Sequence, residues 1–288
     1  MSYTKDYIVQ LLKDAADAGA TEVHLKVPNR PLARAEDGAL IPMRGGELSP
    51  RDAVDAVFAL CAMAGLELPV NQLHDQEFSF GVRGVGRFRV VVYKQRGSLA
   101  AIVQRMRVNV PTIGDTGLTS EAADVIGDPG IVLVSGTDRA RAAAAYINEY
   151  NATTRGHAWV LESPIRWLHR DGMASIAQRE VGVDVPDYST GVRQAVRTGV
   201  NVIALDCVPN AEVAEAVLSA AESGACVVVT VAAHCAQDAP WWIARHFSGE
   251  YRTDAYRRID NVLQHVVHAD KGEPAVVQDI THKLREVS

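Results

Sequence analysis

Gly136 lies between an apolar run, Ile131–Val134, and an alanine-rich stretch that starts at Ala142, which places it where a buried strand hands over to a helix. Phosphate-binding loops occupy that setting with the pattern G-x-x-x-x-G-K-[ST]. Their glycines let backbone amides reach the phosphates, the lysine neutralises them, and the hydroxyl meets Mg²⁺. Here the loop reads Ser135, Gly136, Thr137, Asp138, Arg139, Ala140, Arg141, Ala142, Ala143. Only the first glycine of the pattern is kept. Arg139 and Arg141 are the remaining positive charges, and Asp138 adds a negative one. Thr137 or Asp138 can cap the helix N-terminus, contributing about 1 kcal/mol. The Asp138 carboxylate then takes the electrostatic place of a phosphate; the plain alternative is a solvated turn residue.

Other residues that could do chemistry are acids and arginines. Val202–Asp206 is an apolar strand ending in an acid, so Asp206 reads either as a magnesium ligand or as a strand-end residue or helix cap. Glu162 ends a second apolar run, "AWVLE". Arg87, Arg89 and Arg96 alternate along a strand and are either anion contacts or a solvated face. "GVRGVG" (81–86) looks like a dinucleotide fingerprint, but it precedes a strand instead of opening a helix and reads as a turn. His234-Cys235 has no second ligand pair at zinc spacing, so no metal site is expected. Trp241-Trp242 read as a helix anchor in the core or at an interface.

The elements that must position these residues fall into two textures. In the first, "EVHLKV" (22–27), "LARAEDGALIPM" (32–43), "QEFSFGV" (76–82) and 86–106 are strand-like. The stretch 49–65 opens with a Ser-Pro helix signal, and "AEDGA" (35–39) is a hairpin turn. Pro, Gly and Thr interrupt the pattern at 108–118. Beyond it, runs at 131–134, 158–161, 202–205 and 226–231 lack alternation and are separated by helical stretches at 142–151, 187–197 and 211–223. That is the signature of a parallel sheet covered on both faces. The expected organisation is an α+β domain over 1–110, a linker over 111–118 and an α/β domain over 119–288.

Composition narrows the function classes. The chain has 288 residues, 48% apolar and 22% charged, with a formal charge of −6 and no basic run, which argues against nucleic acid as a partner. The N-terminal "MSYTKDYIVQLLKDAADAGA" is an amphipathic helix without a signal-peptide core. No apolar run reaches the about 18 residues of a membrane span. The four cysteines form no C-x-x-C pair. These features predict a cytoplasmic protein with reduced thiols, peripheral to the inner membrane at most.

Several long stretches in one order carry a family resemblance: "ATEVHLKVPNRPLARAEDGALIPM", "EFSFGVRGVGRFRVVVYKQRGSLAAIVQRM" with "VPTI", "GIVLVSG", "HAWVLESPIRWLH", "QREVGVDVPDY" and "AVLSAAESGACVVVTV". The chain resembles the secretion and type IV pilus motor ATPases, most closely the PilT-like pilus retraction ATPases of twitching motility. The resemblance implies a PAS-like domain followed by a RecA-like P-loop-type domain, six-membered rings, and nucleotide at the domain junction. Against that family's motifs, Ala142 stands at the lysine and Ala143 at the Ser/Thr position. Glu162 and Pro164-Ile165 remain, but Ser163 stands where the family has Asp and Arg166 where it has Glu. Cys207 falls at the catalytic glutamate, Pro209 and Asn210 at an Arg-Asp pair, and Thr230-Val231-Ala232-Ala233 at the histidine box. Arg87, Arg89 and Arg96 match the arginines that the family's N-terminal domain lends to nucleotide across subunits.

The resemblance therefore implies a motor scaffold whose chemistry is stripped, with Glu162, Asp206 and Cys207 as vestiges. The expected role is a non-hydrolysing structural or regulatory subunit of a pilus or secretion machine. It would associate with itself or with an intact pilus motor paralogue and need no cofactor beyond weak ATP or Mg²⁺. Two alternatives stand beside it. One is an atypical ATPase in which Arg139 or Arg141 replaces the lysine and Asp206 binds Mg²⁺. The other is a small-molecule or second-messenger binder.

Overall fold

The computed structural model describes residues 3–35, 37–118 and 126–278. It divides between Val108 and Asn109 into two compact units. Residues 119–125, where the α/β domain is expected to begin, lie outside the described residues.

The first unit builds one antiparallel sheet. Its strands are β1 (Glu22–Lys26), β2 (Leu32–Arg34), β3 (Leu40–Pro42), β4 (Gln76–Val82), β5 (Gly86–Gln95) and β6 (Ser98–Arg105), in the order β3-β2-β1-β6-β5-β4. The alternation in the sequence is the cause: Phe88, Val90 and Val92 of β5 are buried while their neighbours are part-exposed. Helices α1 (Lys5–Asp17) and α2 (Pro50–Met63) close the core with Leu11, Leu12, Val57 and Leu60. Helix α2 starts as its Ser-Pro signal predicts, since Ser49 and Asp52 bond reciprocally as a capping box. Arg96 departs from the sequence reading. Gln95 pairs with Ser98, so Arg96-Gly97 form the two-residue hairpin turn, and Arg96 sits at φ 49° outside the strand.

The second unit begins with a short helix, α3 (Ile113–Thr116), capped by Thr112 and Asp115. Its sheet comprises β7 (Gly130–Ser135), β8 (Gly156–Glu162), β9 (Ala174–Glu180), β10 (Val202–Leu205), β11 (Cys226–Thr230), β12 (Leu263–His268) and β13 (Val276–Gln278). The order is β13-β12-β7-β11-β10-β8-β9, parallel throughout except for β13. Helices α4 (Arg139–Thr153), α5 (Tyr188–Arg197), α6 (Ala211–Glu222), α7 (Ala239–Ala244) and α8 (Glu250–Val262) accompany it. Alternate strand residues join two separate cores: Ile131, Leu133, Ile203 and Val229 in one, Val132, Val134, Val202 and Val228 in the other. Both faces of the sheet are therefore covered, which is why these strands read as unbroken apolar runs.

Three strands and two helices had no clear sequence signal. β9 is a part-exposed strand at one end of the sheet, and β12 interleaves Gln264 and His265 with its apolar residues. In α7, Trp242 packs partly against the core while Trp241 is 45% exposed, with the Arg245 guanidinium 4.0 Å from the Trp242 ring centroid. The cysteines are unpaired, and Cys61 and Cys226 are buried. Among the described residues, no helix is long and apolar enough to cross a membrane.

Candidate functional site

Two clusters sit at the carboxyl ends of the parallel strands of the second unit. The first is the loop between β7 and α4. Gly136 has φ +94°, and a Cβ there would lie 2.2 Å from the Ala269 carbonyl oxygen, so no other residue fits. The Gly136 N–H donates to Ala233 and the Asp138 N–H to Ala269. Thr137 donates its N–H and its hydroxyl to Asp270 Oδ1, at 2.8 and 2.9 Å. Asp138 occupies the N-cap position, but its carboxylate makes no capping bond. The expectation that Asp138 supplies the loop's internal anion is thus corrected: Asp270 does, because its own turn carries it onto the Thr137 amide. Those bonds hold the Asp270 carboxyl below the usual carboxylate range. Arg139 turns back to the Gly136 carbonyl at 3.0 Å, and Arg141 lies 3.6 Å from Asp138. Both guanidiniums are thus engaged within the loop itself.

Ser135, the last residue of β7, is fully buried. Its Oγ lies 2.9 Å from His268 Nδ1, and His268 Nε2 lies 3.2 Å from Asp270 Oδ2. Asp270 and His268 are more than a hundred residues from the loop, so no local pattern announced them. The only available signal was "HADKG" (268–272), with Asp and Gly at turn spacing after an apolar run.

The second cluster holds the acids Glu162 and Asp206. Asp206 lies one residue past the end of β10, where strand alternation no longer sets its direction. Its side chain is only 6% exposed. Tyr188 donates its hydroxyl to Oδ1, while the Ser163 N–H donates to Oδ2 at 3.2 Å and Arg166 Nη2 lies 3.6 Å from it. Arg166 thus faces the acid next to Cys207. Burial raises the Asp206 carboxyl, against the Tyr188 bond and the Arg166 charge. Glu162 goes up further, to about 7, from burial first and the Asp206 charge second. Its carboxylate accepts the Arg166 N–H at 3.4 Å. Burial also pushes the Cys207 thiol up, so it is not primed as a nucleophile. His169 is lowered to about 4 by burial and stays neutral. Tyr188 closes the quoted "QREVGVDVPDY" and opens α5, and the sequence reading gave it no role.

Between the clusters lies a cleft of about 20 Å³, walled by Ala140, Ala143 and Ala144 on one side and Glu162, Arg166 and Asp206 on the other. That is room for about one water molecule. Nucleotide and Mg²⁺ do not fit the donor set: Ala143 offers no hydroxyl, Ala142 no ammonium, and both Asp206 oxygens are taken.

In the first unit, Arg89 pairs with Glu77 and lies 3.5 Å from Gln104 Oε1. Gln104 in turn donates to Glu22, which also holds Arg34 and His24. Arg89 is thus engaged within its own sheet, while Arg87 stands on the same strand and Arg96 at its turn.

No family model matches the chain. The type IV pilus ATPase PilU of Pseudomonas aeruginosa is 24% identical over 281 residues, covering 93% of this chain and 73% of PilU. The type IV pilus retraction ATPase PilT of the same organism is 28% identical over 228 residues, 78% of this chain and 66% of PilT. Among solved structures, the pilus retraction motor PilT with bound ADP superposes with a TM-score of 0.83 at 25% identity, over 97% of this chain and 86% of that one. The chain is thus similar, over most of its length, to PilT-like type IV pilus motor ATPases. The mixed α/β fold with its parallel sheet fits the RecA-like domain expected of that family.

Proposed function

We propose that this protein is a non-hydrolysing member of its motor family, acting as a structural or regulatory subunit of a type IV pilus or secretion machine. The observation that carries the reading is the cleft itself. Where a motor needs an ammonium, a hydroxyl and a metal, this chain places the methyl groups of Ala140, Ala143 and Ala144 around about 20 Å³. Preorganised charge is the main source of catalysis in phosphoryl transfer, and losing one group commonly costs about 10²–10³ in rate. Here lysine, hydroxyl and catalytic acid are replaced together.

The proposed partner is a second copy of the chain or an intact pilus motor, because the scaffold extends over 97% of the chain while the chemistry does not. Steady-state phosphate release and sedimentation test this together. The expected result is no release above a heat-inactivated control, with self-association or co-sedimentation with an intact motor at micromolar concentration. A strictly monomeric particle that ignores such a motor, or sustained phosphate release, contradicts it.

A further inference from the structure

Two exposed features of the second unit stand on one face of its sheet, since α5, α6 and α7 all pack into the core that holds Ile131, Leu133 and Val229. The first is a groove of about 440 Å³ between α5 and α6, with Val192, Val196 and Ala216 in its apolar lining. Val196 is 36% exposed, so this lining reaches solvent. The two walls carry opposite charge, with Arg193 and Arg197 on α5 and Glu212 and Glu215 on α6. Arg193 pairs with Glu212 at 2.7 Å, whereas Arg197 meets no acid among the described residues. The second feature is the part-exposed Trp241 of α7. The Arg245 guanidinium lies 5.5 Å from its ring centroid and 4.0 Å from that of Trp242. Stacking of this kind holds a cation in place without neutralising it. Asp238 stands at the other end of α7, where its carboxylate caps nothing. Neither Asp238 nor Arg245 has an ion-pair partner among the described residues.

We propose that Trp241 is the anchor by which this chain docks on a second copy of itself, and that the α5–α6 groove of that copy receives it. Shape and charge name the occupant together. An indole leaves water most favourably in an apolar recess, and the groove is large enough to take one. Trp241 is flanked by a cation at one end of α7 and an acid at the other. The groove offers the matching pair: the acids of α6 face Arg245, and Arg197, which has no acid of its own, faces Asp238. Trp and Arg are the residues that dominate interface energies when a pocket receives them. Each copy carries both an anchor and a groove, so each can give and receive. The proposal rests on the self-association in the proposed function and names the surface that carries it.

Sedimentation equilibrium of the full chain tests this with wild type, Trp241→Ala, Ser219→Arg and Arg245→Glu. Ser219 is an exposed residue of the groove and Trp241 is part-exposed, so neither change opens a core cavity. Wild type should self-associate at micromolar concentration, and each variant alone at least about tenfold more weakly. The decisive sample is an equimolar mixture of Trp241→Ala and Ser219→Arg. The first keeps its groove and the second keeps its anchor, so the mixture should associate at least about tenfold more tightly than either variant alone. Added salt should weaken wild-type association, and Arg245→Glu should remove most of that dependence. Single variants that associate as wild type does, or a mixture no tighter than its components, overturn the interface while self-association stands. A wild type that stays monomeric yet co-sediments with an intact motor overturns the interface and leaves the proposed function in place. None of the substituted residues lines the alanine-walled cleft, so phosphate release is read independently of this outcome.

Discussion

The loop end and the acid end of the same cleft satisfy their polar groups in opposite ways. At the loop, the Thr137 amide and hydroxyl donate to the part-exposed carboxylate of Asp270, whose pKa is lowered, and the Asp138 amide donates to the Ala269 carbonyl. At the acid end, Glu162 and Asp206 are enclosed, and burial raises both. The enclosed end cannot keep two acids together without new donors. Tyr188 and Arg166 provide them, since an unpaired buried carboxylate costs several kcal/mol. The two ends therefore respond differently to substitution and to pH.

The largest expected effect is at the loop's close approach. Gly136→Ala drives a Cβ into the Ala269 carbonyl and should destabilise the protein by about 3 kcal/mol or more. Gly84→Ala, at φ +76° with nothing within 4 Å, isolates the backbone cost alone and should lose about 1 kcal/mol. Chemical denaturation of both variants measures the difference. Equal losses would mean the turn does not press on the loop.

At the acid end, pH is the lever. Glu162 has a folded pKa of about 7 against an ordinary value of 4.5, so the folded state holds its proton longer than the unfolded chain. Its contribution is full below about pH 4.5 and is lost as pH rises through 7. Between pH 5 and 8 the wild type should lose roughly 2 kcal/mol from this group, and Glu162→Gln should flatten that slope. The lowered carboxyl of Asp270 has the opposite sign, with its stabilisation present at neutral pH and lost on acidification. Urea midpoints across this range check Glu162, and midpoints below the ordinary carboxyl value of 3.8 check Asp270. A slope unchanged in Glu162→Gln would remove Glu162 as its source.

A smaller effect is expected at Tyr188. Tyr188→Phe keeps the ring and deletes the donor to Asp206, which should cost about 1–2 kcal/mol and push the Asp206 carboxyl further up. Carboxyl titration by NMR reads the shift. An Asp206 that titrates as before would show that Arg166 and the Ser163 amide suffice.

These particulars show what the sequence could carry. The strands of the first unit were legible because alternation and Asp-Gly or Arg-Gly turns are local signals, as at Phe88, Val90 and Val92. The buried runs around Val132, Ile203 and Val228 were legible as a parallel sheet for the same reason. β9 and β12 were not, since an edge strand needs few apolar residues and polar residues interrupt β12. In the site, absences could be read directly: Ala142 and Ala143 are what they are in any fold. Replacements could not. Asp270 meets Thr137 across 133 residues, and Arg166 meets Asp206 only because two strands lie side by side.

The central claim is that the alanine-walled cleft no longer takes nucleotide, and isothermal titration of the wild-type protein with Mg-ATP tests it most directly. The account predicts no saturable heat below about 1 mM ligand, corresponding to no more than about 4 kcal/mol of binding free energy. Any residual signal from Arg139 and Arg141 should disappear in high salt. Micromolar affinity that survives salt and is abolished by Asp206→Asn would contradict the account and establish Asp206 as a working metal ligand.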